Sequence, residues 1–214
     1  MALHHVAVEG PIGVGKTTVV DRLAERLEAR KSLEDWSTNP FLGPFYDGRP
    51  GAAFQTELFF VLSRYRQQQD LMQRQLFEQT TLVDYVFEKS RLFAYLNLDD
   101  SELLIFDKLF SLLAEGVPRP DLVVYLQAPT EVLVKRVRAR GRAEEENFSE
   151  EYLAEVNRAY NHYFFHYSAT PLLVVNTADV DFARNPEDTD DLLKQIRGMG
   201  KGTQYYVPRG RVGQ

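Results

Sequence analysis

A glycine-rich run close to the N-terminus limits the possible folds of this chain more than any other feature. Residues 10–17 read Gly-Pro-Ile-Gly-Val-Gly-Lys-Thr and match the pattern G-x-x-x-x-G-K-[ST]. The apolar run His5–Glu9 before it is typical of a short buried strand, and residues 18–30 after it have the spacing of an amphipathic helix. A glycine-rich turn between strand and helix directs consecutive backbone N–H groups toward phosphate oxygens. The run therefore predicts a binding loop for a nucleoside triphosphate.

The loop pattern also assigns roles to particular side chains. Lys16 would reach the β- and γ-phosphates, and the Thr17 hydroxyl would bind Mg²⁺. A nucleoside triphosphate and Mg²⁺ are therefore the expected ligands of the loop. The residues expected to hold them are Gly10, Pro11, Ile12, Gly13, Val14, Gly15, Lys16, Thr17 and Thr18.

Size and composition exclude several other classes of protein. The 214 residues fit a single domain, here 1–214, and the net charge of −6 argues against a general binder of nucleic acid or of anionic membranes. The chain has no cysteine, which excludes disulfides and cysteine-based zinc sites. No apolar run approaches the roughly 20 residues of a membrane span, and the first strand begins too early for a signal peptide. We expect a cytoplasmic protein.

Apolar, strand-like runs alternate with helical patterns along the chain. The strand-like runs cover residues 5–9, 32–34, 80–84, 121–126 and 172–176. The helical patterns cover residues 18–30, 41–46, 52–77, 88–96, 102–115, 131–140, 149–167 and 188–197. Near-continuous apolar strands between helices predict an α/β fold with three layers, in which helices flank a five-stranded parallel sheet. We expect the tail, about residues 198–214, to be irregular.

Besides Glu9 in front of the phosphate loop, two acidic residues follow apolar runs in this pattern. Ligands of open parallel sheets bind beyond the carboxyl ends of the strands. The residues expected there include Glu9, Glu34, Asp84, Gln127 and Asn176. Acids at the ends of the second and third strands predict an active site rather than a nucleotide pocket alone.

Four arginines lie close together at the end of the helix that is predicted after the fourth strand. Arg136, Arg138, Arg140 and Arg142 could neutralise a transferring phosphoryl group, and Gly141 would let the segment close as a lid. The alternative is a solvated helix end, where the helix dipole favours arginine. Beside a phosphate loop we expect a lid, over about residues 136–148, with Glu144 or Glu145 turned inward.

Four further blocks follow the phosphate loop in a definite order. They are Glu34 with residues 39–42 and 45–46, the run 54–64, Asp84-Tyr85 with Lys89 and residues 93–94, and the segment 140–145. In this order and spacing they resemble the deoxynucleoside kinases, in particular their bacterial purine-specific branch. The resemblance implies a P-loop kinase fold with an Arg-rich lid. It also implies transfer of the γ-phosphoryl group of ATP to the 5′-hydroxyl of a deoxynucleoside, and a homodimer built through helices.

The resemblance implies which residues carry out the reaction. Glu34 aligns with the general base that takes the proton of the 5′-hydroxyl. Asp35 stands where the family usually has proline, and its charge would raise the pKa of Glu34. Asp84 would suit Mg²⁺ or its water shell, and Lys89 would supply positive charge. The expected catalytic residues are Glu34, Lys16, Arg136, Arg140 and Asp84, and the lid residues expected at the triphosphate include Arg138 and Arg142.

The resemblance also implies the contacts of the nucleoside. Tyr46 and Glu145 would grip the sugar 3′-hydroxyl, and Arg64 would lie near the base. Trp36 and Phe87 are expected walls for the base, with core packing as their alternative. The full set of expected substrate residues is Glu34, Tyr46, Phe54, Glu57, Arg64, Asp84, Phe87 and Glu145.

Position 57 bears on which base the site accepts. Many family members have glutamine there, whereas ionised Glu57 can only accept hydrogen bonds. Guanine offers two adjacent donors, whereas adenine offers a donor beside an acceptor and fits only a protonated carboxyl. Deoxyguanosine is therefore the expected substrate. The alternatives are deoxyadenosine or a broader set of deoxynucleosides, then a thymidylate-kinase-like monophosphate kinase, then a GTPase switch suggested faintly by Asn176–Asp179, which lacks the usual lysine.

Overall fold

Six parallel strands form one sheet at the centre of the molecule. The computed structural model describes residues 3–74, 79–141 and 149–208. The strands lie in the spatial order β2-β3-β1-β4-β5-β6. Their bounds are β1 His5–Glu9, β2 Arg30–Ser32, β3 Thr81–Val83, β4 Leu122–Gln127, β5 Leu172–Asn176 and β6 Thr203–Tyr206.

Helices connect the strands and cover the sheet. Their bounds are α1 Lys16–Leu27, α2 Leu42–Tyr46, α3 Ala52–Arg74, α4 Lys89–Asn97, α5 Asp100–Ala114, α6 Thr130–Arg140, α7 Glu150–Phe165 and α8 Pro186–Gly198. Within the described ranges, none of these helices has the length and apolar content that crossing a membrane requires.

Both faces of the four central strands, β3, β1, β4 and β5, are buried, as the continuous apolar runs predict. Successive side chains of a strand point to opposite faces. Val8 of β1 therefore packs with α1, α6 and α8 residues on one face, whereas Ala7 packs with Tyr160 and Phe164 of α7 on the other. The three-layer α/β prediction is confirmed, and β1 lies between β3 and β4 with the phosphate loop at its end.

A second, purely helical cluster lies beside the sheet. Val61 of α3, Ala94 of α4 and Phe106 of α5 are buried together there. This packing fixes the inner face of α3 toward the carboxyl ends of β2 and β3. The long helix predicted to about residue 77 is described as far as Arg74.

The sheet has a sixth strand that the sequence analysis did not predict. Thr203–Tyr206 pairs in parallel with β5, so the expectations of five strands and of an irregular tail over residues 198–214 were wrong. The strand is mostly exposed, so it lacks the apolar run that marks a buried strand. Its Thr-Gln-Tyr-Tyr composition nevertheless favours extended structure, and β5 offers it an open edge.

Candidate active site

The carboxyl ends of the strands border a cavity of about 800 Å³. Most residues predicted for the site lie around it, although they come from six separate parts of the chain. Those that line it are Ile12, Gly13, Val14, Gly15, Lys16, Thr17, Thr18, Glu34, Tyr46, Glu57, Arg64, Asp84, Arg136 and Arg140. Gly10 and Pro11 form the base of the same loop.

The phosphate loop depends on glycines at particular positions. Gly13 and Gly15 both have positive φ angles, 84° and 103°. A Cβ on Gly13 would lie 2.7 Å from Cγ2 of Val137 and 3.0 Å from the carbonyl oxygen of Leu133, whereas a Cβ on Gly15 would meet nothing within 4 Å. The loop is therefore packed directly against α6, and Gly15 precedes the first residue of α1.

We expect Gly13→Ala to destabilise the protein more than Gly15→Ala. Both variants place alanine at positive φ, which costs about 1–2 kcal/mol. Only the Gly13 variant also pushes a methyl group into α6, which adds about 1–3 kcal/mol. Denaturant unfolding of both variants measures the difference in free energy of unfolding. Equal losses would contradict the close packing of the loop on α6.

Lys16 closes over its own loop. Its Nζ donates to the carbonyl oxygens of Gly10 and Pro11, at 2.7 and 3.1 Å. Burial lowers the pKa of the Lys16 ammonium to about 8, and the nearby charge of Lys89 adds to this effect. The ammonium is thus held at the mouth of the phosphate-binding turn, where phosphate oxygens can replace the two carbonyls.

Glu9, at the end of β1, has a structural role. Its Oε1 accepts from the backbone N–H of Gly10 and the Tyr160 hydroxyl, and its Oε2 accepts from the N–H of Val86. A buried carboxylate that accepts three donors ties the start of the phosphate loop to two neighbouring elements. It does not line the cavity.

Asp84 links the phosphate loop to Glu34. The Thr17 hydroxyl donates to Asp84 Oδ2 at 3.3 Å, and Asp84 Oδ1 accepts from the Glu34 N–H at 2.7 Å. Burial raises the pKa of the Asp84 carboxyl. A hydroxyl and a carboxylate in contact are oxygen ligands of the kind that Mg²⁺ prefers.

Glu34 lies between two cations. Its Oε1 accepts from Nε and Nη2 of Arg64 at 2.6 and 2.5 Å, and its Oε2 accepts from Lys89 Nζ at 2.8 Å. Burial alone would raise the pKa of Glu34, but these two cations outweigh it and hold the pKa well below its usual range. The expected increase from Asp35 was wrong, because the Asp35 side chain is exposed and accepts from the Ser37 hydroxyl instead.

Arg64 and Lys89 are therefore part of the Glu34 site. Arg64 also donates to the Ser90 hydroxyl at 2.8 Å, and its guanidinium lies 5.0 Å from the centre of the Phe60 ring. These contacts place Arg64 beside Glu34, whereas the resemblance implied a position near the base.

Glu57 contributes a second buried carboxyl to the cavity wall. Its side chain is 2% exposed, and its Oε1 accepts from Asn97 Nδ2 at 2.8 Å. Its Oε2 is buried and has no hydrogen-bond partner in the part of the chain that the structure describes. Burial raises the pKa of Glu57 to about 7. A buried acid with an unused oxygen beside a cavity is a group arranged to meet a ligand.

The lid arginines have three different placements. Arg136 donates to the carbonyl oxygens of Val14, Thr177 and Val180 and to the Thr177 hydroxyl, so it joins the phosphate loop to the segment after β5. Arg140 lines the cavity. Arg138 was expected at the triphosphate, but its side chain is 72% exposed and pairs with Glu150.

The remaining lid predictions lie outside the described residues. Arg142, Glu144 and Glu145 belong to this group, as does most of the segment 136–148. Gly141 ends α6 with a φ angle of 62°, which suits a change of chain direction there.

Two predicted aromatic contacts belong to the core instead of the cavity. Phe87 stacks on Phe110 at 5.1 Å between ring centres, and Phe54 packs against the same helical cluster. Neither lines the cavity, so their assignment as substrate residues was wrong. Apolar helix packing was the stated alternative for Phe87. Trp36, the other expected wall, does line the cavity.

The cavity also contains residues that the sequence analysis missed. Lys89, Phe93 and Asn97 follow one another at intervals of four on α4 and all line it, so helical periodicity from Lys89 could have found the last two. The segment 178–185 after β5 lines it too, and its place beyond a strand end was a usable signal. Tyr152 of α7 gave no such signal.

A parallel sheet with the glycine-rich loop after β1 and an arginine helix beside it defines a P-loop kinase fold. The structure of deoxyadenosine kinase from M. mycoides with bound dCTP is similar, with a TM-score of 0.74 at 20% sequence identity. The match covers 90% of this chain and 98% of that chain.

Sequence comparison narrows the class. The family model for deoxynucleoside kinase matches residues 6–199. Deoxyguanosine kinase of Bacillus subtilis (strain 168) is 32% identical, over 91% of this chain and 96% of that protein. Deoxyadenosine/deoxycytidine kinase of the same organism is 28% identical, over 93% and 97%. The chain belongs to the deoxynucleoside kinase family, and its activity is phosphorylation of a deoxynucleoside. Membership of this family excludes two of the alternatives that the sequence left open, the thymidylate-kinase-like monophosphate kinase and the GTPase switch.

Proposed function

We propose that this enzyme transfers the γ-phosphoryl group of ATP to the 5′-hydroxyl of deoxyguanosine. The observation that carries the choice of base is Glu57 in the cavity wall, whose Oε2 has no hydrogen-bond partner among the described residues. An ionised carboxyl there accepts both the ring N–H and the exocyclic amine of guanine. Adenine would direct a lone pair at the same oxygen, a mismatch worth about 1–3 kcal/mol.

In this proposal the phosphate loop binds the donor triphosphate, and Glu34 acts on the acceptor hydroxyl. Lys16 holds the β- and γ-phosphates, while Glu34 accepts the hydrogen of the attacking 5′-hydroxyl. Because its two cations keep Glu34 ionised, it is a weak base that first orients the hydroxyl. It takes the proton as the bond to phosphorus forms, which suits the loose transition state of phosphoryl transfer.

In this proposal, positive charge around the transferring phosphoryl group contributes much of the remaining catalysis. Arg140, which lines the cavity, would stabilise the charge of the γ-phosphate, and Arg64 and Lys89 hold Glu34 in position. Thr17 and Asp84 would hold Mg²⁺, which when bound neutralises phosphate charge. Tyr46 would contact the sugar. The roles of Arg142 and Glu145, and the extent of the lid, stay predictions.

A panel of acceptors with ATP and Mg²⁺ tests the proposed function. The panel contains deoxyguanosine, deoxyadenosine, deoxycytidine, thymidine and dGMP, and deoxyguanosine should give the highest kcat/KM near pH 8. Triphosphate turnover without any acceptor should be negligible. Preference for dGMP, or turnover that does not need an acceptor, would refute the proposal. Preference for deoxyadenosine would refute the choice of base.

We further propose that the enzyme is a homodimer that pairs through α4 and α5. Leu104 and Leu112 of α5 are 60% and 73% exposed, and Ile105 and Tyr95 are exposed as well. Tyr95 of α4 donates to Asp107 of α5, so these side chains lie on neighbouring helices. Large exposed apolar side chains on one part of a surface favour association. Sedimentation equilibrium should give twice the chain mass, and a monomer would contradict the proposal.

A cytoplasmic location stays a prediction from the sequence.

A further inference from the structure

The two oxygens of Glu57 have different environments. Asn97 Nδ2 donates to Oε1, so Oε1 acts as an acceptor. A neutral carboxyl carries its proton on one oxygen only. Because Oε1 already receives a hydrogen bond, the proton of a neutral Glu57 belongs on Oε2, the oxygen that has no partner within the described residues. Asn97 therefore determines which oxygen can change from acceptor to donor.

We propose that the proton on Glu57 selects the base, so that the ionised enzyme phosphorylates deoxyguanosine and the protonated enzyme phosphorylates deoxyadenosine. This inference rests on the proposed function. Ionised Glu57 presents two acceptors and fits the two donors of guanine. Protonated Glu57 presents the Oε2 hydroxyl as a donor to adenine N1, and its Oε1 keeps a lone pair for the adenine amine. The same side chain then fits either purine.

The charges around Glu57 allow both forms at neutral pH. Arg64 on α3 and Lys89 on α4 favour the ionised form, whereas Glu34, in the loop after β2, favours the neutral form. Both cations are committed to short ion pairs with Glu34, so their effect on Glu57 is reduced. Tyr152 on α7 also faces Glu57 and stays neutral, because burial raises its pKa. Burial dominates the balance and raises the pKa of Glu57 to about 7.

The test is the ratio of kcat/KM for deoxyguanosine to kcat/KM for deoxyadenosine, measured with saturating ATP and Mg²⁺ from about pH 6 to about pH 8. Titration of Lys16, of ATP or of any other shared group affects both substrates and cancels in the ratio. If each purine uses one form of Glu57, the ratio rises about tenfold per pH unit, or about 100-fold over this interval.

Glu57→Gln is the matched control. Glutamine has the same size, does not titrate and offers one donor and one acceptor at every pH. Its ratio should be constant over the interval. A wild-type ratio that rises at least tenfold, with a constant ratio in Glu57→Gln, supports the inference. A smaller wild-type change, or the same change in the variant, overturns it. If neither purine is phosphorylated at any pH, the proposed function itself fails.

A second variant tests the role of Asn97 as a positioning residue. The hydrogen bond from Asn97 stabilises the ionised form of Glu57. In Asn97→Ala the ratio should rise with pH as steeply as in the wild type, but each value of the ratio should be reached at a higher pH. The reason is that the ionised form of Glu57 has lost a hydrogen-bond donor, which raises the pKa of Glu57. A general structural defect would lower both activities without moving this profile. An unchanged profile would remove Asn97 from the inference, and the comparison of wild type with Glu57→Gln would still decide on Glu57.

Discussion

Glu34→Gln is expected to lower kcat by about 10²–10⁴-fold while triphosphate binding stays nearly unchanged. The amide keeps the size of the side chain but cannot take the proton of the 5′-hydroxyl. It also cannot form the ion pairs with Arg64 and Lys89 that hold Glu34 in place. Steady-state kinetics with deoxyguanosine, together with calorimetric titration of an ATP analogue, separates the two effects.

Asp35→Asn provides the matched control for this result. It removes a carboxylate from the next position, but that side chain is exposed and accepts a hydrogen bond from the nearby Ser37 hydroxyl. Its kcat should stay within a few-fold of the wild type. Near-normal turnover in Glu34→Gln, or an equally large loss in Asp35→Asn, would remove Glu34 from the proposed mechanism.

Lys16→Met is expected to lower kcat/KM for ATP by about 10²–10³-fold. Methionine keeps much of the length of the side chain but cannot bind phosphate oxygens. It also gives up the two bonds that Lys16 makes to the loop carbonyls. The loss should appear in kcat as well as in KM, because the ammonium stabilises charge that develops during transfer.

Lys135→Met is the corresponding control. Lys135 is exposed on α6, so its variant removes one positive charge without touching the loop. Its kinetics should match those of the wild type. Loss of kcat/KM in both variants would point to the overall charge of the protein rather than to the phosphate loop.

Local patterns in the sequence were enough to predict the centre of the fold. β1 and β5 begin and end at the predicted residues, because both are buried apolar runs with clear borders. The phosphate loop follows from a short pattern whose glycines have a direct steric cause. Asp84 was placed by a rule of parallel sheets, since it directly follows the buried strand β3. The same rule placed Glu34 near the end of β2, although that strand is the short polar run Arg30–Ser32 rather than the predicted run 32–34. These inferences need only neighbouring residues.

Contacts between distant residues could not be predicted in the same way. The sequence places Asp35 beside Glu34, but the groups that set the pKa of Glu34 are 30 and 55 residues away. Phe87 is aromatic and would suit the wall of a base-binding cavity, yet its ring lies against Phe110. The bond between Asn97 and Glu57 spans 40 residues. Such pairs depend on how helices pack, which one sequence does not reveal.

The four bonds of Arg136 have a mechanical consequence. They join the phosphate loop to the segment after β5, although Val14 and Thr177 are 163 residues apart in the chain. Displacement of either part requires the breaking of bonds to this half-buried cation. In the proposed reaction, a donor nucleotide that touches both parts therefore meets a surface whose spacing is set before it arrives.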